Sequence, residues 1–147
     1  MVGATSRYLD ALEELVMEFH RASRTVLLAH ELTTVQFLVL HHLRVDGPTG
    51  MTEVSRYLGV RPQSVTPVID SLERRGLVRR TRSKVDRRRT ILAPTAAADR
   101  LIAEFRASQI RRLERALRGM PDRALEEAAQ TLAASRRALA SSRPPSR

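Results

Sequence analysis

The stretch 51–92, MTEVSRYLGVRPQSVTPVIDSLERRGLVRRTRSKVDRRRTIL, restricts the fold more than any other part of the chain. It predicts a short helix over 53–58 with Thr52 as its cap. Gly59 follows at a tight turn, where positive φ costs glycine least. Pro62 fits the first position of a second helix, because its missing N–H would be unpaired there anyway. Gly76 closes that helix, and 77–82 and 89–92 read as antiparallel strands joined by a tip at 83–88.

A helical wheel separates the faces of the second helix. Val65, Val68, Ile69 and Leu72 cluster on the side expected to face a core. Gln63, Pro67, Asp70 and Arg74 line the other side, flanked by Ser64, Thr66 and Ser71. Short hydrogen-bonding groups near one end and arginine near the other suit base edges and phosphates respectively. Pro67 is expected to remove one backbone hydrogen bond and bend the helix. Asp70 places a negative charge on this face, and we expect it to pair with a nearby arginine that is left aimed at phosphate.

Charge singles out the same stretch. The chain has 147 residues and a net charge of +10, with a pI near 11.5. Between 50 and 92 lie eleven basic and four acidic residues, so seven of the ten net charges sit in under a third of the chain. Seven of those basic residues fall between Arg79 and Arg89, against one acid. A polyanionic partner offsets the self-repulsion of such a hairpin. The layout is that of a winged helix-turn-helix, which places one helix in the major groove of DNA.

The flanking segments read as helical scaffold. Leu9, Leu12, Leu15, Val16, Phe19, Val26 and Leu27 recur at three- and four-residue steps and predict a long amphipathic helix over about 6–29, after a frayed 1–5. Thr33 and Gln36 form a capping box for a second, deeply buried helix. The turn residues 46–50 end it, and a very short strand at 50–51 is expected to pair with the hairpin. Pro94 and Thr95 open a fifth helix, carrying Leu101, Phe105, Leu113 and Leu117 to a stop at Gly119. Pro121 and Asp122 start a sixth, with Leu125, Ala129, Leu132 and Leu139 facing inward. No internal repeat is present. We expect a single domain over 1–147: helical dimerisation segments at 1–45 and 94–140, a DNA-binding region at 50–92 and a disordered tail at 141–147. The fold class is mainly α with a small β-hairpin wing.

Several chemistries are excluded or disfavoured. No cysteine is present, which removes disulfides, thiolate catalysis and cysteine–zinc sites. His41 and His42 are adjacent, about 100° apart on a helix, and no histidine pair has the helical spacing of a zinc site. Neither a Gly-rich phosphate loop nor a local catalytic motif is present, so neither an enzyme nor a cofactor is expected. Two Tyr, three Phe and no Trp supply single-strand stacking poorly. The run Phe37-Leu-Val-Leu40 is too short to span a bilayer, and the N-terminus lacks a secretion signal; the expected location is cytoplasmic.

The segments VTPVIDSLERRGLV (65–78) and Asp86-Arg87-Arg88, followed by Thr95, resemble the multiple-antibiotic-resistance regulator (MarR) family of bacterial transcription factors. The resemblance extends over essentially the whole chain. Where that family usually reads Leu-Thr-x-x-Gly at the start of the fifth helix, this chain has Pro94 and Ala98 in place of the leucine and glycine. Pro67 stands where an arginine is common. The resemblance implies a homodimer joined through the first, fifth and sixth helices. It also implies binding to pseudo-palindromic promoter sites, with repression, and release by small aromatic or phenolic effectors. Unsatisfied apolar faces on those helices call for a partner surface independently, and we expect Leu9, Leu12, Val16, Leu113, Leu117, Leu125, Leu132 and Leu139 at the dimer interface.

On duplex DNA, Thr52, Gln63, Ser64 and Thr66 are expected near base edges or phosphates, with Pro67 against a thymine methyl. Arg61, Arg74, Arg82, Lys84, Arg87 and Arg89 are expected to neutralise phosphates. Matching the wing motif, Arg88 is expected to enter the minor groove with Asp86 orienting its guanidinium. His20, His30, Phe37, His41 and Tyr57 are the candidates for an effector pocket near the junction of the first two helices with the DNA-binding region. Each of these five is as readily an ordinary structural residue. An architectural, low-specificity DNA-binding protein without a ligand is the alternative reading.

Overall fold

The computed structural model describes residues 2–142. The elements are α1 (Val2–Ala29), α2 (Thr34–Val45), β1 (Thr49–Gly50), α3 (Met51–Leu58), α4 (Pro62–Arg74), β2 (Val78–Arg82), β3 (Thr90–Pro94), α5 (Ala96–Ala116) and α6 (Asp122–Ser141). They form two compact units, the first ending at Gln109 and the second beginning at Ile110. The first unit carries the sheet, an antiparallel set in the order β1-β3-β2.

The core of the first unit collects Val39, Leu40 and Leu43 from α2, Val54 from α3, and Val65, Ile69 and Leu72 from α4. Val78 and Leu92 of the sheet join them, with Ala98, Ile102 and Phe105 of α5. Each large apolar side chain buried this way stabilises the fold by about 1.5–3 kcal/mol. The expected inner face of α4 is therefore the face that packs, with Val68 partly buried beside it.

Several boundaries differ from expectation. The first helix already starts at Val2, because Gly3, Ala4, Thr5 and Ser6 are compatible with a helix although they carry no large apolar periodicity. Thr52 does not cap α3: the cap is Gly50, extended at φ −89° and ψ 171°, and Thr52 lies inside the helix. The small strand is Thr49–Gly50, one residue earlier than expected, paired with Leu92 and Ile91. Pro94 belongs to β3 and pairs with Val78. The pairing of β1 with β3 ends at Leu92, so a missing N–H at Pro94 interrupts no ladder on that side. Ser141 is the last residue of α6 and Ser142 its C-cap, contrary to the expected disordered tail over 141–147; residues 143–147 lie outside the described residues.

The start of α5 is intact despite its unusual sequence. Thr95 Oγ1 accepts from the Ala98 backbone N–H at 3.3 Å and donates to the Gly76 carbonyl at 2.6 Å. One hydroxyl thus caps α5 and ties it to the turn after α4, and Ala98 packs fully buried where the family has glycine. Within the second unit, α6 buries no residue, so Leu125, Ala129, Leu132 and Leu139 are not core positions of this chain.

Candidate nucleic-acid interface

α4 stands on the surface with its polar side exposed. Arg61, Gln63, Ser64, Thr66, Pro67 and Arg74 are all exposed, while Val65 and Ile69 on the other side are fully buried. The helix runs unbroken through Pro67, whose missing N–H leaves the exposed Gln63 carbonyl to solvent. Gly59, at φ 69°, makes the turn into it.

Two side-chain links set the position of α4. Arg75, its C-cap, donates from Nη1 to the Glu31 carbonyl and from Nη2 to the His30 carbonyl, both at 2.7 Å. These are the carbonyls at the corner between α1 and α2, where Glu31 holds φ 52°. Gln36 Nε2 donates to Ser71 Oγ at 3.0 Å, while its Oε1 accepts from the Thr33 backbone in the capping box. The capping amide of α2 therefore also reaches α4.

Asp70 pairs with an arginine as expected, but that arginine is not left aimed at phosphate. Arg80 Nη2 lies 2.5 Å from Asp70 and its Nη1 lies 2.9 Å from Glu73. Both ends of the guanidinium fork are taken up by acids of α4, which joins the wing to the helix.

The wing tip is held by its own short side chains. Ser83 Oγ accepts from the Val85 and Asp86 amides, both at 3.2 Å. Asp86 Oδ1 accepts from the Arg88 backbone amide at 2.9 Å. Asp86 therefore fixes the backbone at Arg88, and among the described residues no ion pair joins its carboxylate to the Arg88 guanidinium. Backbone bonds from Ser83 N to Arg89 O and from Arg89 N to Asp86 O, both 2.9 Å, close the turn.

Arg89, expected to be free for phosphate, donates from Nη2 to Glu53 Oε1 at 2.7 Å. The Glu53 backbone amide holds this carboxyl below its ordinary value, with burial opposing and Arg89 and Arg56 adding to the effect. A Cβ at Gly50 would lie 2.6 Å from Glu53 Oε2, so the glycine cap is what lets the carboxylate fold back over the start of α3. A cleft of about 300 Å³ here brings Thr52, Arg88 and Arg89 together beside Glu53. A second, of about 440 Å³, gathers Arg82, Lys84 and Arg87 around Ser83. Among the described residues, Arg61, Arg74, Arg82, Lys84, Arg87 and Arg88 make no ion pair, and all are exposed.

The candidate effector residues are only partly assembled. Phe37 meets Phe105 with ring centroids 4.2 Å apart and His41 at 6.0 Å. Tyr57 instead stacks on His42 at 4.3 Å, and His42 Nδ1 bonds to Asp46 at 2.7 Å. His20 is exposed on α1 and His30 is half-buried at its end, its carbonyl bound by Arg75. Glu53, Arg75, Arg80 and Ser83 escaped the sequence reading. Only Ser83 carried a local signal, a serine placed to accept from amides two and three residues on.

Residues 32–90 match the model of the MarR family. The HTH-type transcriptional regulator YpoP of Bacillus subtilis, described as uncharacterized, is 33% identical over 97 residues, covering 66% of this chain and 69% of YpoP. The chain belongs to the MarR family. Members of this winged-helix family are DNA-binding transcriptional regulators. HTH-type transcriptional regulator TtmR of Methylorubrum extorquens is 39% identical over 70 residues, covering 48% of this chain and about a third (36%) of TtmR. A MarR family protein from Bacillus stearothermophilus shares the fold at a TM-score of 0.85 and 20% identity, covering 95% of this chain and 98% of that one. CouR from Rhodococcus jostii RHA1, solved bound to p-coumaroyl-CoA, aligns at a TM-score of 0.64 and 26% identity, covering 82% of this MarR-family chain and 85% of CouR. No single helix among the described residues is long and apolar enough to cross a membrane.

Proposed function

We propose that this chain is a homodimeric repressor that binds a pseudo-palindromic promoter site in duplex DNA. The observation that carries this reading is the set of six exposed cations without ion pairs around the polar side of α4 and along the wing. α4 supplies Gln63, Ser64 and Thr66 to the major groove, and the wing supplies Arg88 to the minor groove. Arg61, Arg74, Arg82, Lys84 and Arg87 neutralise phosphates on either side. Arg89 joins them when it leaves Glu53.

Exposed apolar side chains support the pairing of two copies. Leu9 and Val16 of α1 are 50% and 44% exposed, and Leu132 and Leu139 of α6 are 41% and 62% exposed. Binding two half-sites one turn of DNA apart requires the two α4 helices of such a dimer to stand about 34 Å apart. An aromatic effector releases the DNA; the ligand-bound CouR supports this, as does the contact of Phe37 with His41 and Phe105.

Footprinting on the promoter of the protein's own gene and its neighbours tests this reading. One protected palindrome with two half-sites a helical turn apart is expected. Diffuse coverage at all concentrations contradicts it and identifies a low-specificity architectural protein instead.

A further inference from the structure

Val85, at the wing tip, is 98% exposed, the most exposed large apolar side chain among the described residues. Folding gives no reason for it. A β-branched residue gains nothing in a turn, where it packs against no neighbouring strand. The turn around it is nevertheless fixed: Ser83 Oγ accepts from the Val85 amide, and Asp86 accepts from Arg88 and Arg89. On either side Lys84, Arg87 and Arg88 are exposed and make no ion pair among the described residues. A preformed turn therefore presents two methyl groups to solvent in the midst of three cations.

We propose that Val85 is an apolar affinity contact to the minor-groove wall of duplex DNA. Its methyl groups pack against deoxyribose faces while the neighbouring cations meet the phosphate rows. This rests on the duplex binding proposed above and adds a residue to it. The groove wall offers apolar sugar faces between two lines of negative charge, which matches an apolar tip between cations. A small anion or an acidic peptide has no use for the methyl groups. A lipid surface matches less well, since membrane attachment draws on a broad apolar face and this tip offers one side chain. The order already present in the turn lowers the entropy lost on contact.

The test uses the full chain and a duplex that the parent protein selects from a random-sequence pool. Affinities of the parent, Val85→Thr and Val85→Ser are measured across a salt series. Val85→Ser is expected to bind about tenfold more weakly at every salt concentration, with an unchanged slope against log[salt], because it removes apolar contact and no charge. Val85→Thr falls between the two. Thermal midpoints stay together, since the side chain packs on nothing in the free protein. Equal affinity of parent and Val85→Ser, or a loss that appears only as a changed slope, overturns the assignment while leaving duplex binding standing. Failure of the parent to select any duplex overturns the duplex reading itself. In that case, binding to phosphatidylserine vesicles that depends on Val85 assigns the tip to membranes instead.

Discussion

Arg89 of the wing and Glu53 of α3 are 36 residues apart in sequence and form an ion pair at 2.7 Å, at the point where the wing meets the start of α3. One of the cations expected to hold phosphate is thus occupied by a carboxylate of its own chain. On the proposed function, DNA competes with that carboxylate for the guanidinium.

Glu53→Gln is therefore expected to tighten duplex binding by about two- to threefold at low salt, since the pair is partly exposed and such pairs are worth under about 1 kcal/mol. Titrations of parent and variant against one duplex check this. Stability moves the other way with pH. The carboxyl of Glu53 lies below its ordinary value in the folded chain, so its stabilising effect is complete above the ordinary carboxylate range. That effect fades as pH falls through the lowered value. The difference in thermal midpoint between parent and Glu53→Gln should thus be present at neutral pH and close in acid, below the ordinary carboxylate range.

Arg75→Ala removes two charge-assisted hydrogen bonds to the His30 and Glu31 carbonyls. A loss of about 1–2 kcal/mol is expected from denaturant unfolding, at the low end for charged donors because the site is exposed. Arg75→Lys recovers only part of it, because an ammonium cannot reproduce the two parallel donors.

Arg80→Ala leaves Asp70 and Glu73 without their shared cation on α4, the helix proposed to enter the major groove. Duplex affinity should fall about fivefold through repulsion between Asp70 and phosphate, although Arg80 itself is occupied within the protein. Adding Asp70→Asn should restore most of the loss. Equal binding by Arg80→Ala and the double variant contradicts this role for the pair.

Local signals in the sequence located most elements. Thr33 and Gln36 marked the start of α2, Pro62 marked that of α4, and the spacing of Val65, Ile69 and Leu72 marked its buried face. Contacts between distant residues stayed hidden. Thr52 looked like a cap because threonine is a good one, yet the helix starts earlier, at Met51, with Gly50 as the cap and the Glu53 carboxylate folded close over it. Arg75, Arg80 and Arg89 are indistinguishable by sequence from their neighbours in a run of arginines. Their separate roles depend on acids and carbonyls brought near by the fold. Tyr57, a candidate for the same junction as Phe37 and His41, stacks on His42, one residue further along α2 and turned about 100° around the helix.

The salt dependence of duplex affinity tests the cationic interface most directly. Each phosphate neutralised contributes about 0.9 to the fall of log K with log[salt], and the five free cations assigned to phosphate in each of two protomers predict a loss of at least on the order of a thousandfold between about 50 and 200 mM salt. A change of less than about tenfold over that interval would contradict the interface, because exposed arginines that met phosphate could not release so few counterions.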